Sequence, residues 1–273
     1  MTEDKVKGKL IIIGGAEDKE GGCEILKKVV ELSGGKDSRI VVMTTATLKP
    51  EETGSLYRKV FNRLGVEKID ILHINNREEA NSSCLVEMIK QASGIFFTGG
   101  DQLRITSILG GSAVGSALHS AYLNGVVIAG TSAGASVMSD TMIVEGDSDS
   151  APKKCTLKMA PGLGLIKEVV IDQHFAQRGR IGRLLCAVAQ NPYVLGVGID
   201  EDTAIVVNEE GSFEVIGSQS VTVVDGSTIR YSNVSESDPD QPLSLTNVTI
   251  HILPKGYCFD LKKRQPRKGK NNL

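Results

Sequence analysis

Short apolar runs alternate with amphipathic stretches along the first two-thirds of the chain. The runs are rich in β-branched residues and predict strands at residues 9–13, 39–44, 68–73, 94–97 and 126–129. Helical spacing predicts helices between them, at residues 23–32, 51–64 and 79–92, with two more before the last of these strands. Because the strands are nearly uninterrupted apolar runs, the pattern indicates a mostly parallel sheet covered by helices on both faces.

After about residue 190 the pattern changes to short strands separated by turns, at residues 196–199, 204–207, 213–216, 221–224, 245–252 and 258–261. These strands are typical of antiparallel additions, which either extend the same sheet or form a small second sheet. Polar stretches at 146–154 and 232–242 predict loops, and the basic segment 262–273 predicts a solvated, flexible tail. We expect residues 1–273 to form a single α/β domain.

Composition and charge exclude several classes of protein. The 273 residues are 40% hydrophobic and carry a net charge of −2, which is typical of a globular protein with a full core. This charge gives no general attraction to nucleic acid or membranes, and no apolar run reaches the ~18 residues of a membrane-spanning helix. The charged N-terminus leads directly into a strand without a signal-peptide pattern, so we expect a cytoplasmic protein.

Cysteine and histidine spacing gives no indication of a disulfide framework or a metal centre. The five cysteines are Cys23, Cys84, Cys155, Cys186 and Cys258, and no two have C-x-x-C spacing. We therefore expect reduced, mostly buried thiols. The four histidines also lie far apart, without an H-x-x-x-H pair. The sequence predicts neither a bound metal nor another cofactor.

The first candidate for chemistry is the serine in GTSAG. Ser132 lies between Gly130 and Gly134, directly after a predicted strand and before a predicted helix. This is the nucleophile-elbow pattern, in which the glycines leave room for a sharp turn. The N–H of Ala133 would lie at the helix N-terminus, where an oxyanion can be stabilised. The alternative is that Ser132 is only the N-cap of this helix.

A reactive serine needs a base, and His174 is the histidine best placed for that role. It ends a predicted strand in VVIDQH, and the carboxyl ends of strands in open α/β sheets are where ligands bind. Strand alternation predicts that Asp172 and His174 share one face of the strand and that Gln173 lies on the other. Three polar residues at the end of a buried strand are costly unless a site uses them.

Three adjacent acids, Asp200, Glu201 and Asp202, lie between two predicted strands and could orient the base. The pattern does not distinguish among the three, and a solvated acidic turn is an alternative. A second oxyanion donor could come from the Gly99-Gly100 turn, because backbone without a Cβ can approach a ligand closely. That turn could instead be an ordinary strand–helix connection in which Asp101 caps the helix.

Three arginines follow the histidine, in QRGRIGR. Arg178, Arg180 and Arg183 lie near the start of a helix predicted to end at about Gln190, where cations oppose the helix dipole. Arginine forks and free helix N–H groups both suit carboxylates, so we expect a pocket for an acidic substrate. The alternative is a set of exposed arginines paired with the acids at 200–202.

Five motifs between about residue 10 and residue 260 resemble those of the cyanophycinase family, serine peptidases related to aspartyl dipeptidase. They are IIIGGAEDK, FFTGGDQLR, AGTSAGASVM, VVIDQHFAQRGRIGRLL and LGVGIDEDTA. The resemblance implies a doubly wound, flavodoxin-like fold similar to class I glutamine amidotransferases, and a homodimer. It also implies a catalytic triad of Ser132, His174 and Glu201, with oxyanion donors at Gly100 and Ala133. The substrate contacts that it implies are Gln102, Asp172, Gln173, Arg178, Arg180 and Arg183.

The same resemblance implies a substrate and a reaction. Members of the family hydrolyse cyanophycin, a poly-aspartate chain with an arginine on each β-carboxyl group, and release β-Asp-Arg dipeptides through an acyl-enzyme. The competing interpretation is an aspartyl dipeptidase that takes short peptides with an N-terminal aspartate. Two others are weaker: amidotransferase chemistry uses a cysteine where this chain has Ser132, and a dinucleotide-binding protein would need G-x-G-x-x-G, which IIIGGAED lacks.

Overall fold

The structure is a computed structural model that describes residues 6–148, 151–153, 157–238 and 240–269. The helices of this part of the chain are α1 (Glu24–Leu32), α2 (Pro50–Arg63), α3 (Ser83–Gln91), α4 (Gln102–Leu109), α5 (Ala113–Leu123), α6 (Ala133–Ser136) and α7 (Ile181–Gln190). Short 3-10 helices lie at Gly35–Asp37, Glu79–Asn81 and Ala176–Arg178. None of these helices is long and apolar enough to cross a membrane.

Seventeen strands are found within the described ranges. The first nine are β1 (Leu10–Ile13), β2 (Arg39–Met43), β3 (Lys68–Leu72), β4 (Gly94–Phe97), β5 (Val127–Thr131), β6 (Thr141–Glu145), β7 (Lys158–Pro161), β8 (Val169–Gln173) and β9 (Leu195–Ile199). The others are β10 (Thr203–Val207), β11 (Ser212–Gly217), β12 (Ser220–Asp225), β13 (Tyr231–Ser232), β14 (Leu245–Thr246), β15 (Thr249–Pro254), β16 (Tyr257–Asp260) and β17 (Gln265–Lys268).

The largest sheet has nine strands in the order β17-β16-β11-β10-β1-β5-β4-β2-β3. Its five strands from β1 to β3 are parallel, and the other four are antiparallel additions on the β1 side. The α/β class, the parallel strands and the antiparallel extension are as predicted. Ile13 pairs with Thr131 at the carboxyl ends of β1 and β5, so β1 ends beside the residue that precedes the candidate serine.

A second sheet of four strands has the order β15-β12-β9-β8. The sequence left two possibilities for the later strands, and both occur, because β10 and β11 extend the large sheet while β9 and β12 join this one. β8, which leads to His174, belongs to the second sheet and pairs in parallel with β9. The serine and the histidine therefore come from the ends of strands in two different sheets.

The two sides of the large sheet have separate apolar cores. Ile11 and Ile13 of β1 face a core that includes residues of α1 and α2. Leu10 and Ile12 face a larger core that includes α5 and also the apolar residues of β8, β9 and β12. The second sheet therefore packs on the same side of β1 as α5, which brings the ends of β8 and β9 towards the end of β1.

The predicted flexible tail is wrong for part of its length. Residues Gln265–Lys268 form β17, which pairs antiparallel with β16. Arg264 anchors this hairpin, since its guanidinium lies 2.6 Å from the buried carboxylate of Asp225 and over the ring of Tyr193. A basic run carries no hydrophobic alternation, so the pattern could not predict a strand held by an ion pair. Residues 270–273 lie outside the described part of the chain.

Two further predictions fall partly outside the described residues. Of the loop predicted at 146–154, residues 149–150 and 154 are not described, and Lys153 forms a bridge with Pro242 in the other predicted loop. Cys155 is also outside the described part. Of the described cysteines, Cys23 and Cys186 are buried, whereas Cys84 is exposed.

Candidate active site

Ser132 occupies a sharp turn between β5 and α6. Its backbone has φ 53° and ψ −112°, a conformation that costs a non-glycine residue free energy and is common at active sites. The flanking glycines make the turn possible. A methyl group on Gly130 would lie 2.3 Å from the carbonyl oxygen of Gly134, and one on Gly134 would lie 2.6 Å from that of Phe97. Ala133 is the first residue of α6, so its N–H has no partner within the helix.

His174 connects the serine to a carboxylate. Its Nε2 lies 3.0 Å from Oγ of Ser132, and its Nδ1 lies 2.5 Å from Oε1 of Glu201. A serine, a histidine and an acid in this order of contact can move a proton from the hydroxyl to the ring while the acid orients the ring.

The two acids that flank Glu201 point away from the histidine ring. Asp200 accepts hydrogen bonds from the backbone N–H of Ala176 (3.0 Å) and from the hydroxyl of Ser220 (2.8 Å). Asp202 accepts one from the backbone N–H of Asp18 (2.8 Å). The three adjacent acids, which the pattern could not separate, therefore have three different sets of contacts. The solvated acidic turn considered from the sequence is not what the structure contains.

The expected alternation at the end of β8 is wrong. His174 has φ 47°, so the strand ends at Gln173 and the backbone turns into the left-handed region. As a result Gln173 and His174 both reach Ser132, with Oε1 of Gln173 3.4 Å from the serine Oγ. Asp172 points away from them and binds Arg183. Alternation holds only while the backbone stays extended, which the sequence could not show.

The environment of His174 lowers the pKa of its imidazole. Partial burial of the ring is the main cause, and the charges of Arg178 and Arg180 act in the same direction. The hydrogen bond that the ring donates to the carboxylate of Glu201 opposes them by stabilising the charged ring. A lowered pKa keeps the imidazole neutral at pH 7, as a general base must be.

The Gly99-Gly100 turn lies beside the serine. A methyl group on Gly99 would lie 3.4 Å from Cβ of Ser132. Gly100 has φ 147°, and a methyl group there would lie 2.2 Å from the carbonyl oxygen of Ala46. The turn after β4 therefore requires glycine at its second position and brings backbone close to the serine, as a second oxyanion donor requires.

The next two residues hold neighbouring elements. Asp101 caps α4, since its carboxylate accepts a hydrogen bond from the N–H of Leu103 at 2.8 Å. This is the capping role that the sequence offered as an alternative for the turn. The side-chain amide of Gln102 donates to the carbonyl oxygens of Ile143 and Val144, each at 3.1 Å. Gln102 thereby joins α4 to β6 at the edge of the site.

Two of the three arginines are buried in an ion-pair network behind the site. Arg183 binds Asp172 through both carboxylate oxygens, with Nε 2.6 Å from Oδ2. Arg180 lies 3.5 Å from the same carboxylate and donates a hydrogen bond to the carbonyl oxygen of Gln173. Arg180 is 7% exposed and Arg183 8%. Their acidic partner is therefore Asp172, and the pairing with the acids at 200–202 that the sequence allowed does not occur.

The arginines differ in what remains available to a ligand. Arg178 ends the 3-10 helix that follows His174 and is exposed. The Nε of Arg180 is buried and has no hydrogen-bond partner among the described residues. Burial lowers the pKa of Arg180 to about 10, despite the opposing effect of Asp172, so the guanidinium stays charged at neutral pH. Asp172 and Arg183 are hydrogen-bonded to each other, and both side chains are buried.

Sequence reasoning missed the contribution of the segment that leaves β1. The carbonyl oxygen of Gly14 accepts a hydrogen bond from the N–H of His174 at 2.8 Å. Gly15 has φ 103°, and a methyl group there would lie 2.4 Å from Cε1 of the His174 ring. The Gly14-Gly15 pair could have indicated this close approach of backbone to the site, since it follows a predicted strand in the same way as Gly99-Gly100 follows β4.

A second residue missed from the sequence supports the acid. Oε1 of Gln177 accepts a hydrogen bond from the backbone N–H of Glu201 at 3.0 Å. Gln177 lies in the 3-10 helix Ala176–Arg178, so the short segment that begins with His174 also contacts Glu201. Nothing in the sequence distinguishes this glutamine from an ordinary exposed residue. Within the described part of the chain, no group of three or more potential ligands could hold a metal ion.

A serine on a strand–turn–helix elbow that contacts a histidine, which in turn contacts a carboxylate, is typical of serine hydrolases on α/β folds. The comparison with protein families agrees, since the model of Peptidase family S51 matches residues 10–216. The chain therefore belongs to peptidase family S51, and it is a serine-type peptidase.

Curated relatives extend this assignment over nearly the whole chain. A cyanophycinase from Synechococcus elongatus is 39% identical over 260 residues, which cover 95% of this chain and 81% of the relative. One from Nostoc sp. is 40% identical over 264 residues, with 96% and 89% covered. One from Geminocystis herdmanii is 38% identical and 97% of each chain is covered.

Solved structures support the fold alone, because their sequence identity is low. The crystal structure of a peptidase from an acI-B1 Actinobacterium has a TM-score of 0.65 at 22% identity, and covers 91% of this chain and 98% of its own. A putative peptidase E protein from Listeria monocytogenes has a TM-score of 0.51 at 18% identity, with 77% and 98% covered.

The lowered pKa of His174 predicts a pH profile. On the acid limb of this profile, the pH at which kcat/KM falls to half should lie below about 6.5, the ordinary pKa of an imidazole, because the active enzyme needs a neutral ring. Arg178→Gln removes a positive charge that disfavours the protonated ring, so it should move the limb to higher pH. Initial rates between pH 4 and pH 8 check this.

Arg178→Lys is the matched control for that profile. Lysine keeps the charge but loses the planar fork, so the limb should stay in place even if the plateau falls. A limb at the same pH in the wild type and Arg178→Gln would contradict the assignment of His174 as the base that this charge affects.

The close contact at Gly15 predicts a selective loss of activity. Gly15→Ala would place a methyl group against the His174 ring and should lower kcat about 100-fold, the order of loss that misplaced catalytic groups produce. Gly65→Ala is the control, since Gly65 also has positive φ (91°) but no atom within 4 Å of a new methyl group. Positive φ should cost both variants roughly 1–2 kcal/mol of unfolding free energy, with a further loss in Gly15→Ala from the contact with the ring, and only Gly15→Ala should lose activity. Equal turnover in the two variants would be the contrary result.

Proposed function

We propose that this protein is a serine-type exopeptidase that hydrolyses cyanophycin and releases β-Asp-Arg dipeptides. The observation that carries the proposal is the chain of contacts from Ser132 through His174 to Glu201, at 3.0 Å and 2.5 Å. Membership of peptidase family S51 supports the reaction. Relatives named cyanophycinase, with 38–40% identity over nearly the whole chain, support the substrate.

In this proposal Ser132 is the nucleophile and His174 the general base. Nε2 of His174 takes the hydroxyl proton as Oγ attacks a carbonyl carbon of the poly-aspartate backbone. Glu201 orients the ring and stabilises the imidazolium that forms. His174 then gives the proton to the leaving amine, and water hydrolyses the acyl-enzyme by the same steps in reverse order.

The backbone N–H groups of Ala133 and Gly100 are the proposed oxyanion donors. Ala133 begins α6, where its N–H is not used by the helix. Gly100 lies in the turn that packs beside Ser132, and its glycine conformation lets backbone approach the reacting carbonyl. Donors fixed by backbone need no rearrangement as the tetrahedral intermediate forms, which is the main source of their effect.

The proposed substrate contacts are Gln102, Asp172, Gln173, Arg178, Arg180 and Arg183, and their surroundings suggest two different roles. Gln173, Arg178 and Arg180 are proposed to meet carboxylates or carbonyls of the polymer. The buried pair of Asp172 and Arg183 would act from behind by holding Arg180 and the end of β8. Gln102 would keep β6 in place beside the cleft.

Two other parts of the proposal rest on the family resemblance: a core similar to class I glutamine amidotransferases, and a homodimer. A single peptidase domain and a cytoplasmic location are proposed from the sequence pattern. Purified protein analysed by light scattering would test the dimer directly.

The decisive experiment is digestion of insoluble cyanophycin without added metal, with soluble products identified by mass spectrometry. The wild type should release β-Asp-Arg. Ser132→Ala should lower turnover by about 10⁴-fold or more, as removal of a triad serine does. Ser136→Ala, one turn further along α6, is the control and should keep its activity, since the hydrogen bonds of the Ser132 hydroxyl involve Gln173 and His174 and not the side chain of Ser136.

Two outcomes would contradict the proposal in different ways. Cleavage of short peptides with an N-terminal aspartate, without release from the polymer, would make the protein an aspartyl dipeptidase. Polymer cleavage by Ser132→Ala at the wild-type rate would remove Ser132 from the role of nucleophile.

A further inference from the structure

The segment that leaves β1 contacts Ser132, His174 and Asp202, the residue that follows Glu201. We name residues 13–18 the β1 exit segment. Three of its carbonyl groups accept backbone hydrogen bonds. The carbonyl oxygen of Ile13 accepts from the N–H of Ser132 at 3.1 Å, and the carbonyl oxygen of Gly14 accepts from the N–H of His174 at 2.8 Å. The carbonyl oxygen of Gly15 accepts from the N–H of Asp202 at 2.9 Å. The segment also contains a buried carboxylate, Glu17, which the mechanism does not use.

Glu17 is surrounded by donors from α2, from β5 and from its own loop. Oε1 accepts a hydrogen bond from the hydroxyl of Tyr57 at 2.5 Å, and Oε2 accepts one from the hydroxyl of Thr131 at 2.5 Å. The ammonium group of Lys19 lies 2.8 Å from Oε1. Glu17 is 3% exposed. Burial and the neighbouring carboxylate raise the pKa of Tyr57 well above its ordinary value, so its hydroxyl stays a donor.

The contact with Thr131 connects Glu17 to the reactive serine. Thr131 is the last residue of β5 and directly precedes Ser132, whose φ of 53° is strained for a serine. Such a conformation persists only where surrounding contacts determine it. The peptide bond that joins the two residues is held on both sides: Glu17 holds the Thr131 side chain, and Ile13 accepts the Ser132 N–H.

We propose that Glu17 is a positioning residue that acts through the hydroxyl of Thr131 to hold Ser132 in its reactive conformation. This rests on the proposed function only in taking Ser132 as the nucleophile. Neither Glu17 nor Thr131 can reach a substrate, since they are 3% and 4% exposed. Loss of the contact therefore lowers kcat and the intrinsic reactivity of Ser132, and leaves KM unchanged.

A merely structural role for the contact gives a different result. A contact that only stabilises the fold would lower the melting temperature of a variant, while the folded molecules would react at the wild-type rate. The test therefore measures the reactivity of folded protein, well below its melting temperature. A phosphonylating reagent that reacts with activated serines is the probe, because its rate depends on the serine and its base and does not require the polymer.

The experiment compares labelling rates and steady-state kinetics of the wild type, Thr131→Val, Thr131→Ser and Thr44→Val. Thr131→Val removes the hydroxyl and keeps the shape; its labelling rate and kcat should each fall about 10- to 100-fold, as for small displacements of a reacting group. Thr131→Ser restores the hydroxyl and should restore the rates. Thr44→Val is the control, since Thr44 is also fully buried and its hydroxyl contacts Leu72 and His73 instead.

Should Thr131→Val fail to fold, Thr131→Ala tests the same contact, because alanine also lacks the hydroxyl that donates to Glu17. Its labelling rate should fall in the same direction. Labelling of Thr131→Val, or of Thr131→Ala in its place, at the wild-type rate overturns the proposal. So does a loss in Thr131→Val that Thr131→Ser does not restore. Absence of labelling at Ser132 in the wild type would instead overturn the proposed function, so the two failures are distinguishable.

Discussion

The candidate site depends on a close approach of backbones at Gly14 and Gly15. Ser132 lies at the end of a strand in the large sheet, whereas His174 follows a strand of the second sheet. The two meet where β1 ends. A methyl group on Gly14 would lie 2.0 Å from the carbonyl oxygen of Asp200, and one on Gly15 would touch the His174 ring. Two residues without side chains therefore let the acid turn and the histidine pack against the strand that borders the serine.

This constraint explains why two positions of the candidate site have unusual backbone. Ser132 and His174 both have positive φ, and each donates its N–H to the end of β1, to the oxygens of Ile13 and Gly14. The same bend at His174 turns Gln173 towards the serine and Asp172 towards Arg183. The contact of Gln173 with Ser132 on one side and a buried ion pair on the other thus follow from the left-handed backbone of His174. The ion pair in turn places Arg180 against the carbonyl group of Gln173.

Much of this arrangement could be predicted from the sequence, for identifiable reasons. Apolar runs predict the strands, and small residues around Ser132 predict the elbow, because both depend on local sterics. The choice of acid could not be made from pattern, since Asp200, Glu201 and Asp202 differ only in which distant groups they meet. The strand at Gln265–Lys268 and the burial of Arg183 were missed for the same reason, as each depends on a long-range ion pair.

The central claim is that Ser132 attacks while backbone N–H groups at two strand ends hold the oxyanion. A crystal structure of the enzyme inactivated by a serine-directed phosphonylating reagent tests it most directly. The account predicts a covalent bond from phosphorus to Oγ of Ser132, with one phosphoryl oxygen within hydrogen-bond distance of the N–H groups of Ala133 and Gly100. A phosphonyl group on another residue, or one on Ser132 whose oxygens contact neither N–H group, would contradict it.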